Sequence, residues 1–245
     1  MKDIKLIALD MDGTLLNDDH EVSERNRKAI EKALEMDVHV VLSTGRGFAT
    51  CYPYAVDLKL PSYLISANGA EIWTMEKELL RRNGLKAEMM EKLYNIASQV
   101  GVGMWMIATE GAFREEIPTD FDNYEWLKFG CYTEDQQKLD ILVKEFSKYE
   151  ELELSNSLPT NIEVNAKGVS KAQALHFLCD RIGITMENVM ACGDSLNDIK
   201  MIQEAGIGVA MGNAQEAIKK VADYMTVTNN EGGVGEAIEK FVLSR

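Results

Sequence analysis

The chain has 245 residues, of which 46% are hydrophobic, and a formal net charge of −14 at pH 7. This length and composition predict a folded protein of one or two domains and exclude an intrinsically disordered chain. The acidic charge balance disfavours nucleic acid and membrane as partners, because it repels phosphate backbones and anionic lipid headgroups.

The cysteine pattern argues against structural crosslinks. The cysteines form neither a CxxC nor a CxxH pair and are spread along the chain at Cys51, Cys131, Cys179 and Cys192. This spacing fits neither a zinc site nor a disulfide scaffold, so we expect a reduced, cytoplasmic setting. Charged residues interrupt the first apolar stretch, and no uncharged stretch approaches the roughly 20 residues that span a bilayer. We therefore expect neither a signal peptide nor a membrane segment, and a monomer or small homo-oligomer.

The N-terminal part of the chain predicts alternating strands and helices. A short apolar run, Ile4 to Leu9, is typical of a strand buried on both faces. A helix is expected over 23–36, with Ser23 as its N-cap, and strands are expected over 38–42 and 62–65. This order predicts an α/β fold with a Rossmann-like parallel sheet and helices on both faces.

The pattern changes between residues 81 and 84. An inserted α+β domain is predicted there, bounded by glycine joints that can hinge, and its elements are helix 87–99, strand 103–108, helix 135–149 and strand 162–165. The alternation of helices and strands then resumes. The predicted elements are helix 170–182, strand 189–192, helix 196–205, strand 207–210, a helix begun by Asn213, strand 224–227 and a last helix. We predict a discontinuous core, residues 1–82 and 166–245, and an inserted domain, residues 83–165.

Polar residues follow three of the predicted parallel strands. They are Asp10 and Asp12 after the first strand, Ser43 and Thr44 after the second, and Asp194, Asn197 and Asp198 after the fourth. Because the carboxyl ends of parallel strands meet at one edge of a sheet, these side chains are expected to lie together. Lys171 opens a helix, where a cation is unfavourable by roughly 0.3–1 kcal/mol unless an anion lies nearby.

The four aspartates of this set form a predicted acidic cluster. Two carboxylates about 4 Å apart repel each other by roughly 4 kcal/mol at an effective dielectric constant near 20, so the cluster needs a cation. Oxygen ligands of this kind suit Mg²⁺, which is readily shared with a substrate phosphate. Lys171, Thr44 and backbone amides could hold the remaining phosphoryl oxygens.

Four stretches resemble the ordered motifs of the haloacid dehalogenase-like superfamily. They are DMDGTLL from Asp10, STGR from Ser43, GVSKAQAL around Lys171 and GDSLNDI from Gly193. The SANGA and VAMGNA stretches are similar to its Cof-type phosphatase branch, which carries an α/β cap of type C2B. The resemblance implies a Mg²⁺-dependent phosphatase that hydrolyses a small phosphorylated metabolite, such as a sugar phosphate, through an aspartyl-phosphate intermediate.

The resemblance also implies roles for individual residues. Asp10 would be the nucleophile and Asp12 the general acid and base. Mg²⁺ would be bound by the Asp10 carboxylate, the Asp12 backbone carbonyl and the Asp194 carboxylate. The expected phosphate-binding residues are Thr44, Gly45, Lys171 and Asn197, and Asp198 would support the metal shell or Lys171.

The inserted domain corresponds to the cap of that family, which closes over the site and selects the leaving group. Candidate residues on its surface are Trp105, Arg114, Trp126 and Lys128. For Trp105 and Trp126, a place in the core of the insert is at least as well supported as substrate contact. From the core, Arg46 and Asn68 are further candidates for substrate contact.

Two other motifs match the sequence only in part. An EF-hand loop from Asp10 would end at Glu21, but its glycine comes at position four instead of six, and the GIGVAMG run from Gly206 departs from a dinucleotide-binding fingerprint by one residue. A phosphomutase on the same fold stays open, as does an inactive scaffold that binds phosphate without turnover. A signalling receiver would use neither Asp12 nor the insert. The three histidines, His20, His39 and His176, are expected to be structural.

Overall fold

The computed structural model describes residues 2–244, which form two β-sheets with helices packed on them. The helices are α1 (Glu24–Glu35), α2 (Phe48–Asp57), α3 (Ala87–Val100), α4 (Gln136–Phe146), α5 (Lys171–Ile182), α6 (Ile199–Glu204), α7 (Glu216–Lys219) and α8 (Gly233–Ile238). The strands are β1 (Leu6–Leu9), β2 (His39–Ser43), β3 (Tyr63–Ser66), β4 (Glu71–Thr74), β5 (Leu79–Arg82), β6 (Gly103–Ala108), β7 (Gly111–Phe113), β8 (Trp126–Tyr132), β9 (Leu152–Ser155), β10 (Asn161–Ala166), β11 (Val189–Gly193), β12 (Ile207–Ala210) and β13 (Tyr224–Met225). Between residues 2 and 244, no helix combines the length and apolarity required to cross a bilayer.

The larger sheet has the strand order β13-β12-β11-β1-β2-β3-β4-β5. The strands from β13 to β3 are parallel, which confirms the predicted sheet, whereas β4 and β5 are antiparallel and were not predicted. The chain reverses after β3 through three consecutive residues with positive φ, Ala67 at 49°, Asn68 at 61° and Gly69 at 96°. This tight reversal lets β4 pair directly with β3, so an antiparallel hairpin extends the edge of the parallel sheet.

Strand β1 lies in the centre of the larger sheet and positions the predicted site. All four of its residues are buried, as expected for a strand covered on both faces. Leu9 lies in register with Leu42 of β2 and with Cys192 of β11. Asp10 and Ser43 therefore leave the sheet at the same edge, where Asp194 follows β11.

Helix α1 shows how local sequence sets the ends of the core elements. The Ser23 side chain accepts a hydrogen bond from the Asn26 backbone N–H, which confirms the predicted N-cap. Such a cap contributes about 1 kcal/mol to helix stability. The helix buries Ala29, Ile30 and Ala33 against the sheet, at the spacing expected of one apolar face.

The smaller sheet lies within the predicted insert and has the order β7-β6-β8-β10-β9, with every pair antiparallel. The sequence predicted β6 and β10 but missed β7, β8 and β9. Strand β8 was missed because Lys128 and Gly130 interrupt its apolar run, although both lie in the middle of the strand. The domain boundaries at residues 83 and 165 stay a prediction.

Trp126 and Lys128, two of the candidates for the surface of the insert, are buried. The Trp126 ring packs against Phe121, and its Nε1 donates to the Phe121 carbonyl oxygen at 2.8 Å. Burial of the ring removes more apolar area from water than any surface position would, and the carbonyl satisfies its N–H. The structure thus places Trp126 in the core of the insert, one of the two positions expected for it, whereas Lys128, a candidate for the surface, points into the polar contact between the two sheets.

Candidate active site

The edge of the larger sheet brings three of the predicted aspartates together. Carboxylate oxygens of Asp10, Asp194 and Asp198 all lie within 4.8 Å of one another. Asp10 and Asp198 are buried, and Asp194 is partly buried. The Asp12 carboxylate, in contrast, pairs with Arg46 and its side chain remains 50% exposed. Three of the four aspartates thus form the predicted acidic cluster.

Lys171 is the cation of this cluster. Its Nζ donates to Asp10 Oδ1 at 2.6 Å and to Asp198 Oδ1 at 2.7 Å, and the side chain is fully buried. Helix α5 begins at this residue because the Ser170 side chain accepts from the Gln173 N–H. The two carboxylates offset the unfavourable position of a cation at a helix N-terminus. Although burial acts to lower the pKa of Lys171, Asp10 and Asp198 raise it above its ordinary value.

Both carboxylate oxygens of Asp198 accept hydrogen bonds from other residues of the protein. Its Oδ1 accepts from Lys171, and its Oδ2 accepts from the backbone N–H groups of Asp194 at 3.0 Å and Ser195 at 3.1 Å. A Cβ on Gly193 would come within 2.5 Å of Asp198 Cβ, so the close approach requires glycine. In this arrangement Asp198 holds the Lys171 side chain in place, which is one of the two roles predicted for Asp198.

Burial and the neighbouring carboxylates disfavour the ionised forms of Asp194 and Asp10. Burial and the charge of Asp198 raise the pKa of Asp194 to about 7. Burial also raises the pKa of Asp10 well above its ordinary value. The charge of Lys171 acts to lower that pKa, whereas the charges of Asp198 and Asp194 act to raise it further. A divalent cation would favour both ionised carboxylates, and hard oxygen donors suit Mg²⁺. The residues present therefore fit a magnesium site.

Gly13 keeps the approach to Asp194 open. Its φ is +77°, and a Cβ there would lie 2.6 Å from Asp194 Oδ2. Thr14 Oγ1 donates to the other oxygen, Asp194 Oδ1, at 3.3 Å, and Ser195 Oγ donates to Oδ2 at 2.9 Å. Thr14 and Ser195 were not among the predicted site residues, although both lie inside motifs that the sequence singled out.

The turn after β2 carries Thr44, Gly45 and Arg46. Thr44 is buried, and its Oγ1 accepts from the Arg46 backbone N–H at 3.1 Å. Within residues 2–244 the buried Ser43 Oγ has no hydrogen-bond partner. The Arg46 guanidinium holds Asp12 with two hydrogen bonds, Nε to Oδ2 at 2.8 Å and Nη2 to Oδ1 at 2.5 Å.

The Arg46 contact sets the charge of Asp12. Partial burial acts to raise the pKa of Asp12, but the hydrogen bonds and positive charge of Arg46 outweigh it and lower that pKa. His20, which was expected to be structural only, also lies near, with its Nδ1 3.8 Å from Asp12 Oδ1. Asp12 is therefore ionised in this arrangement, which is the form required of a general base.

Asn68 and Asn197 lie where the two sheets meet. Asn68 Nδ2 donates to Glu163 Oε2 at 2.7 Å, and Asn197 Nδ2 lies 3.4 Å from Asn68 Oδ1. The buried Asn197 Oδ1 has no hydrogen-bond partner in the part of the chain that the structure describes. The Asn197 backbone N–H donates to the carbonyl of Asn156, in the turn between β9 and β10. The insert thus contacts the residues around the acidic cluster directly.

Sequence reasoning missed three polar residues of the insert that reach this contact, Ser157, Glu163 and Asn165. A signal for two of them was available, since Asn161, Glu163 and Asn165 alternate with the apolar residues of β10. All of the polar residues on that face are buried, which is unusual for the polar side of a strand. Alternation predicts a shared face, but it could not reveal that this face meets the core.

The remaining candidates, Trp105 and Arg114, lie on the insert. Trp105 is partly buried, and its ring lies so close to Gly130 that a Cβ there would meet it at 2.1 Å. Arg114 is exposed just after β7. Their contact with substrate stays a prediction.

Comparisons with known proteins agree with this arrangement. A family model described as haloacid dehalogenase-like hydrolase matches residues 7–125 and 112–238. The 5-amino-6-(5-phospho-D-ribitylamino)uracil phosphatase YcsE of Bacillus subtilis is 50% identical, with coverage of 98% of this chain and 97% of the relative. Phosphatase YwpJ of the same organism is 32% identical, covering 96% of this chain and 99% of the relative.

Solved structures support the fold as well as the family. A haloacid dehalogenase-like hydrolase from B. subtilis superposes with a TM-score of 0.89 at 28% identity, covering 98% of this chain and 100% of that one. A haloacid dehalogenase-like hydrolase from Bacteroides thetaiotaomicron gives a TM-score of 0.80 at 34% identity, covering 97% and 99%. The chain therefore belongs to the haloacid dehalogenase-like hydrolases, as a phosphatase of the Cof-type branch.

Proposed function

We propose that this phosphatase hydrolyses a small phosphorylated metabolite through a phospho-aspartyl intermediate on Asp10. The observation that carries the proposal is the buried Asp10 carboxylate, 2.6 Å from Lys171 Nζ and within 4.8 Å of the Asp194 carboxylate. Mg²⁺ would be held by the carboxylates of Asp10 and Asp194 and by the backbone carbonyl of Asp12. When bound, it would neutralise charge on the phosphoryl oxygens and on the attacking carboxylate.

The first step transfers the phosphoryl group to the protein. A carboxylate oxygen of Asp10 attacks phosphorus, and the bond from phosphorus to the leaving oxygen breaks as the new bond forms. Lys171 and Thr44 hold the phosphoryl oxygens and stabilise their charge. Asp12 in its protonated form donates its proton to the leaving oxygen, so that the alcohol departs neutral.

The second step returns Asp10 to its starting state. Asp12, now ionised, accepts a proton from water as the water oxygen attacks phosphorus. The bond between phosphorus and Asp10 breaks, which releases inorganic phosphate and restores both aspartates. The ionised form of Asp12 that Arg46 holds suits this step, whereas the first step requires Arg46 to withdraw.

For the substrate, we propose 5-amino-6-(5-phospho-D-ribitylamino)uracil. The support is the 50% identity to the B. subtilis phosphatase named for this compound, over nearly the full length of both chains. Other relatives have different named substrates at lower identity, such as a phosphoglycolate phosphatase at 33% and HMP-PP phosphatases at 28%.

Phosphate release with and without metal tests the activity. With Mg²⁺, the purified chain is expected to release phosphate from the ribitylaminouracil phosphate with a kcat/KM at least about tenfold above that for other phosphorylated metabolites. EDTA is expected to stop the reaction and added Mg²⁺ to restore it. Release that continues in EDTA would contradict the metal assignment. A requirement for an added bisphosphate would indicate a phosphomutase, and no release from any ester would indicate a scaffold.

Replacement of Arg46 by Gln is expected to shift the basic limb of the pH profile of kcat/KM, which reports the pKa values of the free enzyme, to higher pH. Arg46 lowers the pKa of Asp12, so its loss raises that pKa, and the protonated form needed in the first step persists to higher pH. The expected shift is roughly one pH unit, measured on an alkyl phosphate because a poor leaving group requires the proton. Arg27→Gln, which breaks the exposed ion pair with Asp57, is the matched control. An unchanged profile in Arg46→Gln would mean that Asp12 is not the titrating group.

A further inference from the structure

The turn after β3, residues 67–69, has a backbone conformation that its sequence favours only in part. All three residues have positive φ, which is 49° at Ala67, 61° at Asn68 and 96° at Gly69. Glycine has no Cβ and asparagine can hydrogen-bond locally, so both adopt this conformation more readily than alanine does. A strained residue persists only where the surrounding structure holds it in place. The contacts of Ala67 therefore indicate what maintains the strain and what depends on it.

Toward the core, the turn holds the loop that carries the proposed phosphate-binding residues. The Ala67 backbone N–H donates to the Arg46 carbonyl oxygen at 2.8 Å, and the Asn68 backbone N–H donates to the Thr44 carbonyl oxygen at 2.9 Å. The φ angle of Ala67 sets the direction of the peptide that follows it, so a negative φ there would turn the Asn68 N–H away from Thr44. The position of Thr44 thus depends on the conformation of Ala67.

Toward the insert, a buried asparagine holds the same turn. Asn165 Nδ2 donates to the Ala67 carbonyl oxygen at 3.0 Å and to the Leu127 carbonyl oxygen of β8 at 3.1 Å. Asn165 Oδ1 accepts from Asn68 Nδ2 at 3.2 Å. Asn165 is only 2% exposed, so loss of its donors would leave buried carbonyl groups unsatisfied. One amide group therefore ties strand β8 of the insert to the strained residue of the core.

Gly69 closes a further side of the turn. A Cβ at this position would lie 2.5 Å from the Ser170 carbonyl oxygen, directly before Lys171. The turn is therefore packed between the loop of Thr44 and the start of α5, which are the two segments proposed to hold the phosphoryl group.

We propose that Asn165 is a positioning residue for phosphate binding, because it holds Ala67 at positive φ and the turn in that conformation holds Thr44 in place. This inference rests on the proposed phosphatase activity and adds a residue of the insert that acts on its phosphate site. Loss of the Asn165 donors frees Ala67 to adopt a negative φ, and the loop of Thr44 then shifts. In this role Asn165 acts through Ala67 and not on the substrate, so its effect is the same for every leaving group.

Asn165→Ala tests the proposal, with inorganic phosphate as a competitive inhibitor in the presence of Mg²⁺. Two esters with different leaving groups, ribitol 5-phosphate and p-nitrophenyl phosphate, serve as substrates. The inhibition constant of phosphate is expected to rise about tenfold, and kcat/KM to fall by about the same factor on both esters, because a displaced loop binds the phosphoryl group poorly. A role in folding alone would reduce the amount of active protein, which lowers the apparent kcat and leaves the inhibition constant unchanged.

Ala67→Gly provides a test by rescue. Glycine adopts positive φ without support from a neighbour, so Asn165→Ala is expected to raise the inhibition constant less than about threefold when it is combined with Ala67→Gly. If Asn165→Ala alone does not fold, this double variant decides, and a rise of about tenfold or more in it would overturn the proposal.

Asn161→Ala is the matched control, because it makes the same change on the same strand, where the amide bonds only to Ser157 and Leu158 of the insert. Its inhibition constant is expected to equal that of the wild type. An unchanged constant in Asn165→Ala, or a fall in kcat/KM confined to one ester, would overturn the positioning role. If the wild-type protein hydrolyses neither ester, the proposed phosphatase activity itself fails.

Discussion

Asp10→Asn is expected to abolish phosphate release, with a fall in kcat of about 10⁴-fold or more. The amide of asparagine is a poor nucleophile, so the phosphoryl group has no acceptor on the protein. The change keeps the shape of the side chain and leaves an oxygen for the hydrogen bond from Lys171. The variant should therefore remain folded, which circular dichroism and thermal unfolding would verify.

Two further measurements make the Asp10 prediction specific. Asp19→Asn is the matched control, since it makes the same chemical change at an exposed aspartate nearby and is expected to leave kcat unchanged. Borohydride added during wild-type turnover should reduce the acyl phosphate to homoserine at position 10, detected by peptide mass spectrometry. Homoserine at another aspartate, or full activity in Asp10→Asn, would show that the nucleophile is misassigned.

The acidic cluster could be predicted from the sequence because its members follow regular elements. Asp10 and Asp194 each come after a short apolar strand, and parallel pairing brings the ends of such strands to one edge. Lys171 was predictable for another reason, since a cation in the first turn of a helix is locally unfavourable. These inferences need only local pattern and the rules of parallel sheets.

The contacts between the insert and the core could not be predicted in the same way. Asn68 and Glu163 are 95 residues apart, and no local rule sets the orientation of one sheet relative to the other. The pairing of Arg46 with Asp12, 34 residues apart, depends similarly on the path of two loops. Periodicity predicts which residues share a face, whereas the partner of that face depends on tertiary packing.

Chemistry and substrate selection would involve different parts of the chain. The residues proposed for chemistry lie at strand ends of the core, where hydrogen bonds such as those of Asp198 hold them rigidly. Trp105 and Arg114, which are predicted to contact the leaving group, lie on the insert, so a change there is expected to alter the preferred leaving group without disturbing Asp10. Relatives that are similar over nearly the whole chain but have different named substrates are consistent with this separation.

Lys171→Met is expected to lower the free energy of unfolding by about 3–5 kcal/mol at pH 7.5, because it leaves two buried carboxylates without their cation. The pKa of Lys171 is raised in the folded state. Its stabilising contribution is therefore fully present below the unfolded-state pKa of about 10.4 and is lost only as the pH rises beyond it. Urea unfolding in EDTA at pH 7.5 thus measures the whole contribution, and kcat should fall as well, since the phosphoryl charge loses a partner.

The double variant Lys171→Met/Asp198→Asn separates loss of charge pairing from loss of packing. Asparagine at position 198 removes one unpaired carboxylate and can still accept from the N–H groups of Asp194 and Ser195. The double variant should therefore regain at least about 1 kcal/mol over Lys171→Met. Lys28→Met, at an exposed i,i+4 ion pair, is the control and should change stability by less than about 0.5 kcal/mol. If Lys171→Met were as stable as the wild type, or the double variant less stable than the single, the cluster would not depend on the charge of Lys171.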